Sequence, residues 1–562
     1  MRYLIIANCY KELEENPSRL KKIEILSDFL SKLRRENNKE IIYLVQGRVF
    51  PDYNTKELGV SSQLIKKAIS KSIGASEEKI TNLWKKLGDL GLVAEELVKT
   101  KQQRTLSSKQ LDAEKVIENL RKLSEFVGKG TVEKKLSLIA ELLTSASPLE
   151  AKYIVRTVLS DLRIGVGEGT LRDAIVNSCF PDKEKKQSSV LVQEAYDKTT
   201  DFFYVFKKAC SGEKSLKNIE LVPGTAVKVM LFLKEENIKD AFKRVGKPAA
   251  FEYKYDGFRM MINKTEDKEI KIFTRRLEEV TAQFPEVVEY AKNNINAKTF
   301  IIDSEAVGFD LKTKKYRPFQ EISQRIKRKY NIEGLQKKLP VEINVFDVIY
   351  YNGKNLLNAP FKKRREIIEK IISEEKWKIV LSKQIITSDE KKAEKFYEKA
   401  LEEGHEGLMI KNLESEYKPG SRVGSGVKLK PEADDFDLVV TGAEYGTGKR
   451  AGWLTSFDVS CRHQNKFLEI GRVSTGLKEK EEQGLSYKEM TKKAKALITK
   501  SKGKHVEIKP EIVVTVAYQN IQKSPTYSSG FALRFPRFKK LRQDRIKSDI
   551  ATLDEIRKRN VG

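Results

Sequence analysis

The first 218 residues carry apolar positions at helical spacing. In "KKIEILSDFLSKL" (21–33) and "EKKLSLIAELLTSA" (133–146), apolar residues recur every three or four positions, as on one face of an amphipathic helix. Glycine-bearing connectors such as "VGKGT" (127–131) and "RIGVGEGT" (163–170) interrupt this pattern. We therefore predict an all-α N-terminal domain over residues 1–218.

From about residue 219 the pattern changes to short β-rich runs. Examples are "KIFTR" (271–275), "TFIIDSEAVGF" (299–309) and "EINVFDVIYYNGKNL" (342–356), the last with an Asn-Gly pair typical of a tight hairpin. Helical segments such as "EEVTAQFPEVVEYAKN" (278–293) lie between these runs. The mixture predicts an α+β domain over residues 219–431.

After residue 432 the chain is mostly β-rich. Runs such as "DLVVTGAEYG" (437–446), "SFDVSCR" (456–462) and "EIVVTVAYQN" (511–520) follow one another with little helical pattern between them. A segment of this size and pattern suits a small β-barrel. We predict an OB-fold over residues 432–562.

The charge balance favours a polyanionic partner. There are 108 Lys and Arg residues against 80 Asp and Glu residues, a net charge of +28, and nucleic acid is the first candidate for such a surface. The alternative is a charged surface of the kind found in heat-adapted proteins. Charge alone leaves both interpretations open.

Several classes of protein are disfavoured by composition. The four cysteines lie far apart in the sequence without metal-ligand spacing, so neither a disulfide framework nor a cysteine metal site is predicted. Only three histidines are present, which argues against a histidine metal site or a Ser-His-Asp triad. Neither a signal peptide nor an apolar run long enough to span a bilayer is visible. We expect an intracellular protein that does not bind membranes.

Candidate chemistry centres on "FEYKYDGFRM" (251–260). Lys254 lies on a predicted half-buried strand that runs into a turn at Asp256-Gly257, with Arg259 close behind. A lone lysine on a strand is more often structural than catalytic. This stretch alone therefore leaves both interpretations open.

An ordered series of further motifs favours catalysis. It consists of "TRRLEEVT" (274–281), "DSEAV" (303–307), "FDVIY" (346–350), "EGLMIK" (406–411), "KLK" (428–430) and "GFALRFPRF" (530–538). In this order the motifs resemble those of ATP-dependent DNA ligases, within the covalent nucleotidyltransferase superfamily. "LEAKYIVRTVLSDLRIGVGEGTLRDAI" (149–175) is similar to the helical DNA-binding domain of the archaeal and eukaryotic replicative type.

The resemblance implies a role for each matching residue. Lys254 would attack the α-phosphorus of ATP and hold AMP as a phosphoramidate. Glu252 would read the adenine amino group and Phe346 would stack on the base. The residues implied to contact ribose or phosphate, or to line the same pocket, are Arg259, Arg275, Glu305, Lys411, Arg422, Lys428 and Lys430. Glu305 and Glu406 would hold Mg²⁺, with Mn²⁺ as an alternative.

The remaining matches lie in the turn after Lys254 and near the C-terminus. Asp256 and Gly257 belong to the nucleophile motif. Arg534 and Arg537 match a motif that swings over the nucleotide, about a hinge near Lys430-Pro431. The further match is Asp544.

Each match also has a structural interpretation when it is taken alone. Phe346 could belong to the core, Glu406 could cap a turn, and Arg275 could lie on a solvated surface. The ordered series is what favours function.

Two departures from the family pattern concern packing near the pocket. Gly426 stands where the family commonly has Trp, and "AVKVMLF" (226–232) replaces the usual "PxxPMLA".

The resemblance implies sealing of nicked duplex DNA in replication, repair and recombination. We expect a monomer, located in the cytoplasm or, in a eukaryote, the nucleus. Gly165, Gly167 and Gly169 are expected to meet DNA phosphate through backbone N–H groups. The segment 101–111 is a candidate contact for a sliding clamp. The alternatives are an RNA-capping or RNA-ligase relative and a DNA-binding scaffold without activity.

Overall fold

The structure is a computed structural model of the 562-residue chain. It describes all residues except 55, 101–109, 127, 129, 327, 329–330, 432–433, 447–449, 451, 480–481, 483–484 and 560–562, and it leaves the side chain of Gln320 undescribed. The chain divides into two compact units, Met1–Lys430 and Pro431–Gly562.

The N-terminal half of the first unit is helical, which confirms the predicted class of this region. The helices are α1 (Tyr3–Glu15), α2 (Arg19–Leu33), α3 (Ile42–Val45), α4 (Ser62–Ile73), α5 (Glu77–Leu87), α6 (Leu90–Lys99), α7 (Ala113–Glu125), α8 (Val132–Ser145), α9 (Pro148–Val158), α10 (Glu168–Cys179), α11 (Lys185–Thr199), α12 (Phe202–Cys210) and α13 (Glu213–Lys217). Their apolar faces form one core. Among the described residues, every helix is too short or too polar to cross a membrane.

Local sequence signals explain where several of these helices begin. The hydroxyls of Ser18, Ser61 and Ser76 each accept a backbone N–H from the first turn of the helix that follows, which satisfies a donor without an intrahelical partner. Ser147 and Glu150 form a reciprocal capping box at the start of α9. The two stretches with helical periodicity lie in α2 and α8, as predicted.

The second half of this unit is an α+β region. Its strands are β1 (Leu231–Glu235), β2 (Ala249–Lys254), β3 (Phe258–Lys264), β4 (Ile270–Thr274), β5 (Phe300–Gly308), β6 (Val341–Tyr351), β7 (Lys354–Asn355), β8 (Ile379–Leu381), β9 (Gln384–Thr387), β10 (Gly407–Asn412) and β11 (Arg422–Leu429). Its helices are α14 (Ile238–Val245), α15 (Pro285–Asn294), α16 (Phe319–Ile326), α17 (Ile332–Lys338), α18 (Phe361–Ile371) and α19 (Glu390–Glu402).

Two sheets organise this α+β region. One has the strand order β1-β11-β10-β2-β9, and the other has the order β4-β3-β5-β6-β7 with β8 paired to β6. The chain passes from the first sheet to the second through the turn between β2 and β3. A side chain at Gly257 in this turn would collide with the carbonyl oxygen of Ala306 on β5, so glycine allows the two sheets to approach here. Asn352 and Gly353 both have positive φ in the β6–β7 hairpin, as the Asn-Gly signal predicts.

The second unit is rich in strands. They are β12 (Asp434–Tyr445), β13 (Leu454–His463), β14 (Lys466–Val473), β15 (Ile498–Lys502), β16 (His505–Ile508), β17 (Val513–Tyr518), β18 (Ile521–Lys523), β19 (Phe531–Leu533) and β20 (Arg537–Leu541), with helices α20 (Tyr487–Lys495) and α21 (Leu553–Arg559). A seven-stranded sheet runs in the order β14-β13-β12-β16-β15, and β17 joins β12 to β20. This confirms a C-terminal region rich in strands, and its assignment to the OB-fold stays a prediction.

The space beside Gly426 is filled by an aromatic ring from another strand. Phe232 lies on β1, which runs parallel to β11, and the register between these strands shifts directly after Phe232. A Cβ atom at Gly426 would lie 2.5 Å from the nearest atom of the Phe232 ring. The two departures from the family pattern are therefore in contact with each other, and Phe232 occupies volume that a larger residue at 426 would need.

This packing predicts a reciprocal effect of substitution. Gly426→Trp should destabilise the protein by about 1–3 kcal/mol, the usual cost of inserting volume into a filled site. Phe232→Ala should recover part of that loss when it is combined with Gly426→Trp, because it frees the space. Thermal unfolding of the two single variants and the double variant measures this coupling. Strictly additive effects would show that the two positions do not compete for space.

Candidate functional site

Lys254 is the last residue of β2, and its side chain is half-buried. Its ammonium group donates to a carboxylate oxygen of Glu406, which directly precedes β10. Lys430 Nζ lies 2.5 Å from that same Glu406 oxygen. The Glu406 backbone N–H donates to the Lys254 carbonyl at 2.8 Å. A backbone hydrogen bond and two ion pairs thus join β2, β10 and the end of β11 at one point.

Lys428 lies among positive charges. Burial lowers its pKa first, and the charges of Lys254, Lys430, Arg275 and Arg422 lower it further. Arg275 follows β4 and Arg422 begins β11, and both side chains are exposed. The structure therefore brings five of the predicted cations into one electrostatic neighbourhood. Such a cluster favours binding of an anion such as a polyphosphate.

The two predicted metal-binding carboxylates titrate differently. Burial acts to raise the pKa of Glu406, but the charges and hydrogen bonds of Lys254 and Lys430 lower it to about 2. Burial raises the pKa of Glu305 to about 7, against the opposing charges of Lys254 and Arg259. Glu406 is thus ionised and paired near neutral pH, while Glu305 is partly protonated.

The carboxylates fit a hard cation in part. Carboxylate oxygens are typical Mg²⁺ ligands, and this ion commonly keeps waters and substrate phosphates as its other ligands. Within the residues that the structure describes, no three His, Cys, Asp or Glu side chains converge as a metal site. Glu305 and Glu406 could therefore supply two ligands of an ion shared with bound phosphates.

Arg259 is anchored by a residue that the sequence motifs did not single out. Its guanidinium forms a two-pronged ion pair with Asp303, whose side chain is fully buried, and it donates to the Met230 carbonyl at 3.1 Å. The Tyr417 hydroxyl donates to Asp303 at 2.8 Å. Asp303 lies inside "DSEAV", and in the antiparallel register of β3 and β5 it stands diagonally across from Arg259, which pairs directly with Glu305. Asp303 and Tyr417 hold Arg259 beside the Phe346 ring, 5.3 Å from guanidinium carbon to ring centroid.

A second group surrounds Glu252, two residues before Lys254 on β2. The Glu252 side chain is almost completely buried, and its Oε2 atom lies 2.6 Å from Lys411 Nζ. Lys411 Nζ also lies 4.9 Å from the centroid of the Phe346 ring. The Gln384 amide donates to Glu252 Oε1 at 2.8 Å. The predicted base-binding residues Glu252 and Phe346 thus both lie beside Lys411, which was predicted to line the same pocket, and sequence reasoning missed Gln384.

Asp256 lies in the turn after Lys254. Its Oδ2 atom is 3.4 Å from the backbone N of Phe319, at the start of α16. This contact joins the turn that follows Lys254 to the start of α16. The Asp256-Gly257 pair therefore serves the turn geometry in this structure.

The remaining C-terminal motif residues lie in the second unit. Arg534 has a half-buried side chain whose guanidinium carbon lies 5.0 Å from the centroid of the Phe535 ring. Arg537 begins β20 and is exposed. Asp544 is exposed and accepts two hydrogen bonds from Arg542, which lower its pKa.

The glycine connector at 163–170 leads into α10, and Gly167 is the N-cap residue of that helix. Lys22 Nζ lies 2.5 Å from the Ile164 carbonyl oxygen, beside Gly165. Arg19 donates to the Gly169 carbonyl at 3.3 Å. Cations from α2 therefore contact the connector at both ends. Of the candidate clamp segment, residues 101–109 lie outside the described part of the chain.

Comparisons with known proteins agree with this architecture. The family model described as "ATP dependent DNA ligase domain" matches residues 229–430. The models "DNA ligase N terminus" and "ATP dependent DNA ligase C terminal region" match residues 2–176 and 450–545. A solved structure titled "Pmar-Lig_PreS3" shares the fold with a TM-score of 0.55 at 18% identity, covering 95% of this chain and 99% of that one.

Two curated relatives are similar over nearly their whole length. A DNA ligase of Nanoarchaeum equitans is 44% identical over 562 residues, covering 99% of this chain and 98% of the relative. A DNA ligase of Thermococcus fumicolans is 41% identical over 559 residues, with the same coverage of both chains. The chain is therefore an enzyme of the ATP-dependent DNA ligase family.

Proposed function

We propose that this ligase seals nicks in duplex DNA through a covalent adenylate on Lys254. The observation that carries the proposal is the position of Lys254 at the junction of β2, β10 and β11, hydrogen-bonded to Glu406 among clustered cations. A nucleophilic amine needs an activated position beside groups that bind phosphate. The cations clustered near Lys254 Nζ support this assignment, because they are groups that would bind phosphate.

In the first step Lys254 loses a proton to solvent, and its neutral amine attacks the α-phosphorus of ATP. The new bond joins Nζ to phosphorus, and the bond from that phosphorus to the pyrophosphate oxygen breaks. Glu406 orients the amine through the hydrogen bond that it accepts. Lys428, Lys430, Arg275 and Arg422 offset the negative charge of the phosphates, which is greatest as the bond to pyrophosphate breaks.

The base end of the nucleotide would lie farther along the same strand face. Glu252 and Lys254 are two residues apart on β2, so their side chains point to one side of the sheet. Glu252 would accept a hydrogen bond from the adenine amino group, and Phe346 would stack on the ring. Arg259, held by Asp303 and Tyr417, would contact ribose or phosphate between these ends.

Two further transfers complete the sealing reaction. The 5′-phosphate at the nick attacks the adenylate phosphorus and releases Lys254. The 3′-hydroxyl then attacks the 5′-phosphate and expels AMP. Glu305 and Glu406 would hold Mg²⁺ or Mn²⁺, which when bound offsets charge on the phosphates. By the family resemblance, Arg534 and Arg537 would orient pyrophosphate during the first step.

The DNA would be bound mainly through its backbone. The connector with Gly165, Gly167 and Gly169 offers N–H groups at the start of α10, and cations from α2 lie on both sides of it. The second unit would form an OB-fold that binds the duplex. We assign the monomeric enzyme to DNA replication, repair and recombination inside the cell, with segment 101–111 as a candidate clamp contact. Nicked DNA tested against RNA acceptors distinguishes this assignment from an RNA ligase.

Lys254→Arg should abolish self-adenylation. A guanidinium keeps the positive charge but stays protonated, so it cannot attack phosphorus. Covalent labelling by ATP that carries label in the α-phosphate should vanish, while sealing of a pre-adenylated nick should survive in part. Lys362→Arg is the matched control, because Lys362 is an exposed lysine paired with Glu414. Normal labelling of the Lys254→Arg protein would refute the assignment.

Glu305→Gln should stabilise the free protein at high pH only. The pKa of Glu305 is raised to about 7 in the folded state. Ionisation of this carboxyl group therefore favours the unfolded chain as the pH rises from the usual pKa of a glutamate toward 7. Without nucleotide or divalent cation, the variant should unfold at a higher temperature than the parent at pH 8. The difference should shrink toward pH 5.

Glu289→Gln, on the exposed face of α15, is the control for that measurement. It should give no comparable pH-dependent gain. A gain from Glu305→Gln that is equal at pH 5 and pH 8 would contradict the raised pKa.

DNA affinity should fall steeply with salt. Contacts from lysine and arginine to phosphate release counterions, with a logarithmic slope of roughly −0.9 per phosphate. We expect about a 10³-fold loss between ~50 and ~200 mM salt, with little effect of base sequence at the nick. Gly167→Pro removes a backbone donor without removing a charge, so it should weaken binding and leave the slope and self-adenylation unchanged. A shallow slope would refute recognition through the backbone.

A further inference from the structure

Glu252 is held by more than its ion pair with Lys411. Its side chain is nearly inaccessible to solvent, and its Oε1 atom accepts the amide N–H of Gln384 at 2.8 Å. Arg365 lies farther away, with 3.7 Å between its Nη1 atom and Glu252 Oε1. Lys411 approaches the other oxygen, Oε2, at 2.6 Å. The two carboxylate oxygens are thus fixed from opposite sides by different strands.

Gln384 is placed by the sheet itself. It begins β9, the edge strand, and stands directly opposite Glu252 in the antiparallel pairing of β2 with β9. Directly paired residues project from the same face with their Cβ atoms about 4.5–5.5 Å apart. A glutamine at this position reaches the Glu252 carboxylate without distorting the strand. The register therefore makes the contact a built feature of the sheet.

The chemistry of this contact bears on the choice of base. A carboxylate accepts hydrogen bonds only, so it matches an exocyclic amino group and repels a carbonyl oxygen. That selection requires a carboxylate with a fixed orientation, because a rotated carboxylate presents its lone pairs elsewhere. Removing the Gln384 donor would leave Oε1 without its hydrogen bond and the carboxylate free to turn toward Lys411 or Arg365.

We propose that Gln384 is a positioning residue that determines donor-nucleotide specificity by orienting the Glu252 carboxylate toward the 6-amino group of adenine. This inference rests on the proposed role of Glu252 in reading the base. It adds a residue outside the nucleotidyltransferase motifs, on a strand that carries none of them. It also gives the edge strand β9 a function in selection of the nucleotide rather than in catalysis.

The test compares two nucleotides in self-adenylation. ATP and purine riboside triphosphate differ only by the 6-amino group, so the ratio of their kcat/KM values reports reading of that group. Gln384→Met keeps the side-chain length and removes the donor. We expect it to lower the ratio about tenfold or more, the value of a hydrogen bond to a charged group.

Three further variants make the outcome decisive. Ile386 lies on the same edge strand at a half-exposed position. Ile386→Thr should therefore leave the ratio of the two kcat/KM values unchanged. Glu252→Ala should lower the ratio at least as much as Gln384→Met. Gln384→Glu should retain selectivity at low pH, where a shared proton restores a donor between the two carboxyl groups, and lose it as pH rises.

The outcomes separate the two claims. If Glu252→Ala lowers the ratio and Gln384→Met does not, the positioning role of Gln384 is wrong and the role of Glu252 stands. If Glu252→Ala leaves the ratio unchanged, both claims fail. An equal loss of activity with both nucleotides in folded Gln384→Met, as judged by its unfolding temperature, would assign the residue a general structural role and overturn the proposal.

Discussion

The Glu406 carboxylate is the contact on which the rest of the site depends. It lies between the ammonium groups of Lys254 and Lys430 and brings together strands that are distant in sequence. Clustered cations repel one another, and a partly buried cluster without counter-charge would be costly. One shared carboxylate makes the cluster tolerable while leaving a net positive charge. A bound polyphosphate would neutralise that remaining charge. The same charges therefore affect both the binding of ATP and the stability of the fold.

Each of the two sheets contributes a different set of residues to the candidate site. The first sheet supplies Lys254, the Lys428–Lys430 pair and the Glu252–Lys411 group from adjacent strands. The second sheet supplies Arg259, Glu305 and Phe346 from its central strands. The turn at Gly257 joins them at close range. Because most of these groups lie on paired strands or directly at strand ends, their spacing is set largely by strand register, which favours a preorganised site.

Much of this arrangement could be predicted from the sequence, but the pairings could not. Apolar periodicity gave the helices α2 and α8, and the order of motifs indicated the family. The contact of Asp303 with Arg259 depends on the register of β3 against β5, which no local pattern reports. Phe232 fills the space beside Gly426, although the two residues are far apart in the chain. Gln384 was overlooked because its strand is short and carries no motif, so that only the sheet order places it beside Glu252.

The proposed function depends above all on one chemical event, the formation of a phosphoramidate on Lys254. The most direct measurement is to incubate the full chain with ATP and Mg²⁺, remove free nucleotide, digest the protein and locate the AMP by mass spectrometry. We predict AMP on the peptide that contains Lys254, and its loss when pyrophosphate or nicked DNA is added. AMP located on Lys428 or Lys430 instead, or a protein that seals nicks with ATP without ever carrying AMP, would contradict the account.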